Sequence, residues 1–410
     1  MKLTKALLSA TAITAAASAA HAVDLEVTHW WTSGGEAAAV AEFAKAFNEK
    51  TDHNWVDGAI AGGGGTARPI MISRILGGDP MGATQFNHGR QAEELVEAGL
   101  MLDLTDVAEA EGWRDIVHPV SLLDSCTIDD RIYCVPVNIH SWQWLWLSHK
   151  AFADAGVPVP SNWDEYAAAM PALEAAGKVP LAMGGQPWQS SGAFGVLTVA
   201  LAGLDAWSAV SVDKDADVAA GPEYAKVFEA AAAAREYSKN TNVQDWNQAT
   251  AMVITGDAGG QIMGDWAQGE FAVAEQVAGE DYTCLPGLGV NEVISTGGDA
   301  FYFPKQGDAD IEAAQKELAS LMLSKEVQVA FNLKKGSLPV RGDVDLTAAN
   351  DCMKKGLEIL ASGAILPDGN QTLSPDTQGQ IEDLMTEFWS SDMDPADAQA
   401  TYAAIIADAD

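Results

Sequence analysis

The segment that indicates the fold of this 410-residue chain is residues 25–36, LEVTHWWTSGGE. Residues 25–28 form a β-prone run that leads into two adjacent tryptophans, and a Thr-Ser-Gly-Gly turn follows. Glu36 then opens an Ala-rich segment in which Phe43 and Phe47 have helical spacing. The pattern predicts strand, turn and helix, with aromatic rings and polar groups at the carboxyl end of the first strand. In open α/β sheets, ligands bind at that edge.

The chemistry of this corner suits a sugar. Trp30 and Trp31 offer flat apolar faces to sugar C–H groups, while Glu36 and the neighbouring hydroxyls offer hydrogen-bond partners. A single tryptophan often fills a core, but adjacent strand residues point to opposite faces, which argues against both rings being core residues. As a cleft carboxylate, Glu36 should act in binding, so its replacement by glutamine should leave the stability of the unliganded protein nearly unchanged.

The first 22 residues have the pattern of a secretory signal peptide. Lys2 and Lys5 precede an apolar stretch, residues 6–20, and Ala20-His21-Ala22 fits the small-x-small rule for cleavage. The position after the cleavage point is not cysteine, which argues against a lipid anchor there. Later stretches lack the roughly 20 uninterrupted apolar residues of a membrane span. We therefore expect an exported, soluble protein.

Charge and size limit the classes of partner and the architecture. With 58 acidic and 23 basic residues, the chain has a formal net charge of −35. This charge opposes binding to nucleic acid and to anionic lipid. A chain of this length with 48% hydrophobic residues can bury more than one core, so we expect two domains.

Short β-prone runs alternate with helical patterns along the chain. The β-prone runs are residues 25–29, 131–138, 142–148 and 299–303, and the helical patterns are residues 36–50, 91–98, 164–177, 223–237, 312–323, 325–334 and 376–389. This alternation predicts an α/β fold with largely parallel sheets. Two extended segments, residues 135–140 and 295–301, are candidates for crossings between the domains.

The four cysteines favour disulfides over metal binding or catalysis, because their number is even and export is expected. Three pairings are possible. Cys126 and Cys134 flank a strand-turn-strand pattern that could bring them together, which leaves Cys284 with Cys352. No histidine lies near a cysteine at zinc-ligand spacing, so no metal site is expected.

The sequence contains little that indicates an enzyme. The run of glycines at residues 62–65 lacks the Lys-Ser/Thr pair that a phosphate-binding loop requires, so we expect a mobile loop near the mouth of a cleft. A Gly-x-Ser-x-Gly elbow for serine catalysis is absent. A glycosidase would need two carboxylates about 5–10 Å apart, and no motif singles out such a pair.

Further tryptophans are candidates for the site. Trp142, Trp144 and Trp146 alternate and would share one strand face, where they either cover the core or reach a cleft. The Asp-Trp pair occurs twice, at Trp246 and Trp266. Trp266 is favoured because a strand-like run precedes it. The polar turn at residues 184–189 also offers Gln186 and Trp188 to a ligand.

Taken in order, several segments resemble the sugar-binding proteins of bacterial ABC importers, and above all their monosaccharide (glucose/galactose-type) binders. The segments are the signal-like start and residues 28–36, 85–89, 136–140, 264–267 and 335–341. The resemblance spans essentially the whole chain after residue 22. WWTSGGE and KGSLPVR are its more specific parts, while Gly-Asp-Trp is also shared with oligosaccharide binders.

The resemblance implies roles for individual residues. Trp30, Trp31 and Glu36 would line the amino-terminal wall, Trp266 would stack from the other lobe, Asp299 would accept hydroxyls and Lys335 would donate. The full set of candidate ligand-binding residues is Trp30, Trp31, Glu36, Gln85, Asn87, His88, His140, Gln186, Trp266, Asp299 and Lys335.

Two positions depart from the relatives. The relatives often have histidine two residues after the position of Gln85, whereas this chain has Asn87 followed by His88. Which of these two side chains faces the ligand is therefore open. Some relatives also use a late histidine. Here none follows His149, so that contact is missing or comes from the polar loop at residues 368–371.

The sequence thus predicts an α/β, two-lobed periplasmic-binding-protein fold with hinge crossings and a ligand cleft between the lobes. After a signal peptide at residues 1–22, the amino-terminal lobe would comprise residues 23–137 plus 298–342. The carboxy-terminal lobe would comprise residues 138–297 plus 343–410.

The expected function is that of a periplasmic, monomeric sugar-binding component of an ABC importer, without cofactor or turnover. It would capture a monosaccharide by aromatic stacking and hydroxyl hydrogen bonds and deliver it to permease subunits in the inner membrane. Two alternatives remain: a secreted carbohydrate-active enzyme such as a glycosidase, and a sugar chemoreceptor ligand-binding protein without transport.

Overall fold

The computed structural model describes residues 21–409. The predicted signal peptide lies outside the described residues apart from its last two positions. The strands are β1 Asp24–His29, β2 Asn54–Ala59, β3 Ala83–Asn87, β4 Thr127–Ile128, β5 Arg131–Ile132, β6 Cys134–Pro136, β7 Trp144–Ser148, β8 Val179–Leu181, β9 Ala258–Ile262, β10 Tyr282–Pro286, β11 Ile294–Ser295, β12 Asp299–Tyr302 and β13 Ile365–Leu366.

Helices connect and cover these strands. They are α1 Gly34–Lys50, α2 Gly63–Leu76, α3 Glu93–Glu97, α4 Thr105–Glu111, α5 Trp113–Ile116, α6 Ser121–Asp124, α7 His149–Ala155, α8 Trp163–Ala175, α9 Pro187–Leu201, α10 Leu204–Ser211, α11 Ala216–Ala219, α12 Pro222–Ser238, α13 Trp246–Thr255, α14 Ala267–Val273, α15 Ala309–Met322, α16 Lys325–Lys335, α17 Asp351–Ser362, α18 Gly369–Thr372, α19 Pro375–Ser390 and α20 Pro395–Ala407. Two 3₁₀ turns, Arg90–Ala92 and Gly287–Gly289, complete the set.

Two sheets form the centres of two lobes. The first has the strand order β2-β1-β3-β12-β6, and the second has the order β10-β7-β9-β8. The expectation of largely parallel sheets is wrong. β12 runs antiparallel to both β3 and β6, and β7 runs antiparallel to both of its neighbours. β12 opposes β3 because the chain returns to the first sheet from the second lobe.

The first strand and helix form as the sequence pattern predicts. Leu25 and Val27 on β1 point into the core, and the hydroxyl of Ser33 caps α1 by accepting from the Glu36 N–H at 3.4 Å. Phe43 of α1 stacks on Phe331 of α16 with 4.2 Å between ring centroids. The apolar face of α1 is therefore buried against α16 as well as against the sheet.

The glycine run is not a loop, contrary to the sequence expectation. Gly63 begins α2, and Gly62 before it has a φ of 103°, in the left-handed region that glycine adopts readily. Burial of one apolar face stabilises α2 despite its glycine-rich start, since Ala67, Met71 and Ile75 are buried along that face.

Three segments cross between the lobes side by side. The Ile139 N–H donates to the Leu338 carbonyl at 2.7 Å, and the Leu338 N–H returns a bond to Ile139 at 3.1 Å. The His140 N–H donates to the Gly297 carbonyl at 2.9 Å. These bonds join the crossings near residues 139, 297 and 338 into one hinge.

Gln328 of α16 fixes two of these crossings to the first lobe. Its buried Nε2 donates to the Val137 carbonyl at 3.0 Å, and its Oε1 accepts from the Val340 N–H at 3.0 Å. Because the hinge backbone is buried, such bonds are required to satisfy it. Within residues 21–409, no helix combines the length and apolar character needed to cross a membrane.

Both disulfides that the sequence suggested are formed. Cys126–Cys134 closes a sequence separation of 8 residues, and Cys284–Cys352 closes a separation of 68. The second bond ties α17 to β10, and so anchors the chain after its third crossing to the second sheet.

Removing the long-loop disulfide should cost more stability than removing the short-loop one. In the chain-entropy treatment, Cys284→Ala with Cys352→Ala should lower the free energy of unfolding by about 4 kcal/mol, against about 2.5 kcal/mol for Cys126→Ala with Cys134→Ala. Urea unfolding of both double variants measures the difference. A larger loss for the Cys126–Cys134 pair would contradict the expectation.

Candidate functional site

A cavity of about 470 Å³ lies between the two lobes. Its walls contain nine of the eleven candidate residues: Trp30, Trp31, Glu36, Asn87, His140, Gln186, Trp266, Asp299 and Lys335. These side chains are separated by up to about 300 positions in the sequence. The hinge and the first sheet bring them together.

Trp30 and Trp31 follow directly after β1 and have different roles. The Trp30 N–H donates to Gln85 Oε1 at 3.0 Å, and the half-buried ring lines the cavity. Trp31 is only 1% exposed and packs between Phe301 and Phe331, at 5.7 and 5.2 Å between centroids. Trp31 is thus a core residue and a cavity residue together. Its Nε1 has no hydrogen-bond partner within the described part of the chain.

A buried ion pair forms the floor of the site. Lys335 Nζ, at the end of α16, lies 2.9 Å from Glu36 Oε1, and the two side chains are 1% and 9% exposed. The same ammonium lies 5.7 Å from the Trp31 ring and 5.8 Å from the Trp266 ring. The expectation that Glu36 is irrelevant to the unliganded fold therefore needs correction, since its loss would leave a buried Lys335 charge unpaired.

Asp299 begins β12 and is held by amides on both oxygens. Gln85 Nε2 donates to Oδ1 at 2.7 Å, and Asn138 Nδ2 donates to Oδ2 at 3.0 Å. Burial raises the pKa of Asp299 to about 6, against the opposing effects of Lys335 and of these two amides. A carboxylate has about four acceptor sites, so these two amides do not use up the acceptor capacity of Asp299, which lines the cavity.

Gln85 and His88 do not line the cavity, whereas Asn87 does. Gln85 is fully covered by its bonds to Trp30 and Asp299, so it positions the wall from behind. His88 is fully buried, and its Nδ1 lies 2.8 Å from Ser125 Oγ and 3.2 Å from Gln371 Nε2. Asn87 is the last residue of β3, and His88 follows the strand. Burial lowers the pKa of His88 to about 4.

His140 stands beside Asp299 at the hinge. Its Nε2 lies 2.8 Å from Asn138 Nδ2 and 3.1 Å from Asp299 Oδ2. Burial, followed by the nearby Lys335 charge, holds the pKa of His140 well below its usual value. The imidazole is therefore neutral, and can serve as a hydrogen-bond partner without adding charge to the site.

Four tryptophans of the second lobe form one contiguous group, Trp142, Trp188, Trp246 and Trp266. Ring centroids are 4.9 Å apart for Trp142–Trp266, 5.5 Å for Trp142–Trp188 and 6.5 Å for Trp246–Trp266. All four line the cavity. Trp266, which the sequence favoured, and Trp246 therefore both lie in the cavity wall.

The alternating tryptophans divide between the two roles that the sequence left open. Trp144 and Trp146 lie in β7, stack at 5.8 Å and are fully buried in the core. Trp142 precedes β7, so its ring leaves the strand face and reaches the cavity. Gly192 makes room for it, because a Cβ there would come within 2.3 Å of the ring.

Contacts between the lobes surround the cavity. The Gly35 N–H at the start of α1 donates to Glu270 Oε1 of α14 at 2.8 Å. Gln186 Nε2 donates to the Gly62 carbonyl at 3.4 Å, and Gln91 Nε2 donates to Asn370 Oδ1 at 2.9 Å. The lobes are therefore closed on each other.

Sequence reasoning missed several cavity residues. Arg68 of α2 and Glu382 of α19 line the wall but carry no local motif. Asp245, which also lines it, belongs to the first of the two Asp-Trp pairs in the sequence. Asp368 and Asn370 also line it, and the segment expected to be a polar loop forms the short helix α18 with Asp368 as its N-cap. Across residues 21–409, no cluster of three or more His, Cys, Asp or Glu side chains could hold a metal ion.

The amino-acid sequence is similar to those of known bacterial solute-binding proteins. Residues 31–329 match the sequence profile of a family described as bacterial extracellular solute-binding protein. A "Probable sugar-binding periplasmic protein" of Brucella melitensis biotype 1 is 38% identical over 343 residues, which cover 83% of this chain and 80% of the relative.

Solved structures share the fold at low sequence identity. A "Chitin oligosaccharide binding protein" superposes with a TM-score of 0.77 at 20% identity, over 95% of this chain and 99% of the other. The bacterial solute receptor AcbH, described as having an exclusive preference for β-D-galactopyranose, superposes with a TM-score of 0.76 at 19% identity, over 94% and 98% of the two chains. One fold thus serves ligands of different length.

Breaking the Glu36–Lys335 pair should destabilise the unliganded protein. Lys335→Met and Glu36→Gln should each lower the free energy of unfolding by about 3 kcal/mol, because each leaves a buried charge without its partner. The double variant should recover most of that loss, and urea unfolding of all four proteins measures the coupling. Additive losses in the double variant would contradict a paired role.

Proposed function

Because the chain belongs to the family of bacterial extracellular solute-binding proteins, we propose that it is the periplasmic sugar-binding component of an ABC importer. It captures a monosaccharide between its lobes and delivers it to the permease subunits in the inner membrane. The observation that carries this proposal is the cavity itself. Tryptophan rings from both lobes and a buried carboxylate at the hinge enclose one space.

The polar groups of the inner site match a neutral polyhydroxy ligand. Glu36 and Lys335 neutralise each other, so the floor has no net charge to attract an ion. Asp299 accepts from hydroxyls, and the Trp31 indole N–H, which has no partner among residues 21–409, can donate to one. Trp30 and Trp266 offer faces for stacking against the C–H side of a pyranose ring.

The hinge supports capture by closure. We assign residues 23–137 plus 298–342 to one lobe and residues 138–297 plus 343–410 to the other. A ligand that contacts both lobes favours the closed form by its differential affinity for that form. The interlobe bonds of Gly35 and Gln186 would add to closure only once the lobes meet. The closed form, acting as a monomer in the periplasm, then docks on the permease.

Binding without turnover distinguishes this proposal from a glycosidase. A reducing-sugar assay of the protein with maltose, cellobiose and lactose should stay at the blank. Sustained release of reducing ends would support the enzyme instead. A chemoreceptor ligand-binding protein without transport would bind equally well. Uptake of the labelled sugar in cells lacking the gene discriminates that case, since only an importer component is required for uptake.

Trp266→Ala should weaken binding of the best monosaccharide by about 30-fold, equivalent to about 2 kcal/mol, because a buried stacking surface is lost. Isothermal titration with glucose, galactose, xylose and arabinose identifies the ligand and measures this loss. Trp389→Ala on α19, outside the cavity wall, is the matched control and should keep the wild-type affinity. Near-normal affinity of Trp266→Ala would rule out the proposed site.

Affinity should depend on pH through Asp299. Since burial raises its pKa to about 6, the carboxylate is protonated below pH 6 and loses acceptor capacity. Affinity should therefore fall by about 1 kcal/mol, roughly fivefold, between pH 7.5 and pH 5. His88, whose pKa burial lowers to about 4, stays neutral in this range, and burial also lowers the pKa of His140. Titrations of wild type and Asp299→Asn measure the effect, and an equal pH dependence in Asp299→Asn would contradict it.

A further inference from the structure

Helix α14 of the second lobe lies against two helices of the first lobe. It belongs to the second lobe because Phe271 of α14 stacks on Tyr282 of β10, with 4.1 Å between ring centroids. Gln268 of α14 donates through Nε2 to the carbonyl of Gly336, the residue after α16, at 2.7 Å. The following residues of α14 contact the start of α1. One short helix therefore joins the second lobe to both α1 and α16.

Two glycines bring the backbones of α14 and α1 into direct contact. A Cβ added at Gly35 would lie 2.6 Å from the carbonyl carbon of Gly269 and 3.0 Å from the Glu270 nitrogen. A Cβ added at Gly269 would lie 2.9 Å from the Lys334 carbonyl oxygen and 3.2 Å from the Gly35 Cα. The atoms met are backbone atoms, which cannot rotate out of the way. A side chain at either position would therefore push α14 away from the first lobe.

The backbone conformation does not require glycine at either position. Gly35 lies inside α1 and Gly269 inside α14, and neither has a positive φ. In a helix, glycine is less favourable than every residue except proline, and alanine is the most favourable. The close approach of the two lobes is thus the feature of the structure that needs glycine at these two positions.

Glu270 adds a hydrogen bond across the same contact. The first N–H groups of a helix have no partner within the helix. In α1, the Glu36 N–H bonds to the Ser33 hydroxyl, while the Gly35 N–H donates to Glu270 Oε1 at 2.8 Å. A carboxylate is favourable at this positive end of the helix dipole, and its hydrogen bonds are strong. Because donor and acceptor belong to different lobes, separation of the lobes breaks this bond.

We propose that Glu270 and the Gly35–Gly269 contact are positioning elements that set the affinity for sugar by stabilising the closed form. All three residues lie outside the cavity wall, so they act on the sugar only through closure. This role rests on the proposed function, which places one sugar between the closed lobes. Apparent affinity falls in proportion to the fraction of protein that can adopt the binding form. Loss of the contact should therefore weaken binding without changing any group that faces the sugar.

Alanine at each glycine tests the contact. Isothermal titration of the wild type with glucose, galactose, xylose and arabinose first identifies the tightest binder. For that sugar, Gly35→Ala and Gly269→Ala should each weaken affinity about tenfold or more, because closure is obstructed. The unliganded variants should melt at or above the wild-type temperature, because alanine stabilises a helix relative to glycine. A purely structural role for these glycines predicts a lower melting temperature instead.

Gly379→Ala is the matched control for these variants. Gly379 is an exposed glycine of α19, and a Cβ there would meet no atom within 4 Å. This control should keep the wild-type affinity. Small-angle scattering at saturating sugar should give a larger radius of gyration for Gly269→Ala than for the wild type, since its lobes cannot close fully.

Glu270 is tested separately, because its removal introduces no clash. Glu270→Ala should weaken affinity about fivefold, mainly through faster dissociation. Glu270→Gln should lose less, because the amide oxygen still accepts from the Gly35 N–H without the charge. Stopped-flow tryptophan fluorescence measures the dissociation rates. Glu387→Ala, at an exposed glutamate of α19, is the matched control and should keep the wild-type rate.

The remaining outcomes distinguish this role from the proposed function. Wild-type affinity in both glycine variants and in Glu270→Ala would overturn the role and leave sugar binding standing. Weaker binding with a lowered melting temperature, or with the wild-type radius of gyration at saturation, would overturn it as well. If the wild type binds none of the four sugars, the proposed function fails and this role fails with it.

Discussion

The structure depends on the requirement that the chain pass three times between two lobes at one place. Extended backbone buried at such a junction must find hydrogen-bond partners. The crossings near residues 139, 297 and 338 supply most of these partners to each other. Asn138, His140 and Asp299 are therefore adjacent because the hinge is paired, and the same pairing places them at the base of the cavity.

The polar groups around this junction are of two kinds: some are hydrogen-bonded within the protein, and others lack a partner. Gln85, Asn138 and Gln328 have their side-chain bonds within the protein and hold the wall in place. Trp31 Nε1 and Gln143 Oε1, by contrast, line the cavity and are buried without a partner in the described residues. Buried polar atoms that lack a partner cost about 1–3 kcal/mol each. Because these atoms lie in the cavity wall, a ligand with hydroxyl groups could supply the hydrogen bonds that they lack.

The aromatic residues combine stability with binding. Trp31 closes a core made by α1, β12 and α16 while one edge stays at the cavity. In the second lobe, Trp144 and Trp146 support the sheet, and Trp142 extends the tryptophan group toward the cleft. Substitutions at Trp31, which is 1% exposed, should therefore affect folding and binding together.

The sequence by itself determined the local elements and the class of site. Strand β1, helix α1 and the helices near residues 164, 223, 312, 325 and 376 follow from periodicity and capping, and they are confirmed within a few residues. Only the tertiary structure decided which side chains share the cavity. Asn87 lines the cavity whereas His88 and Gln85 do not, and Gln85 instead bonds Trp30 and Asp299 behind the wall. Closure of the lobes placed Arg68 and Glu382, more than 300 residues apart in the sequence, in the wall of one cavity. Such combinations of residues leave no local pattern, because their members come to one cavity only when both lobes are folded and closed.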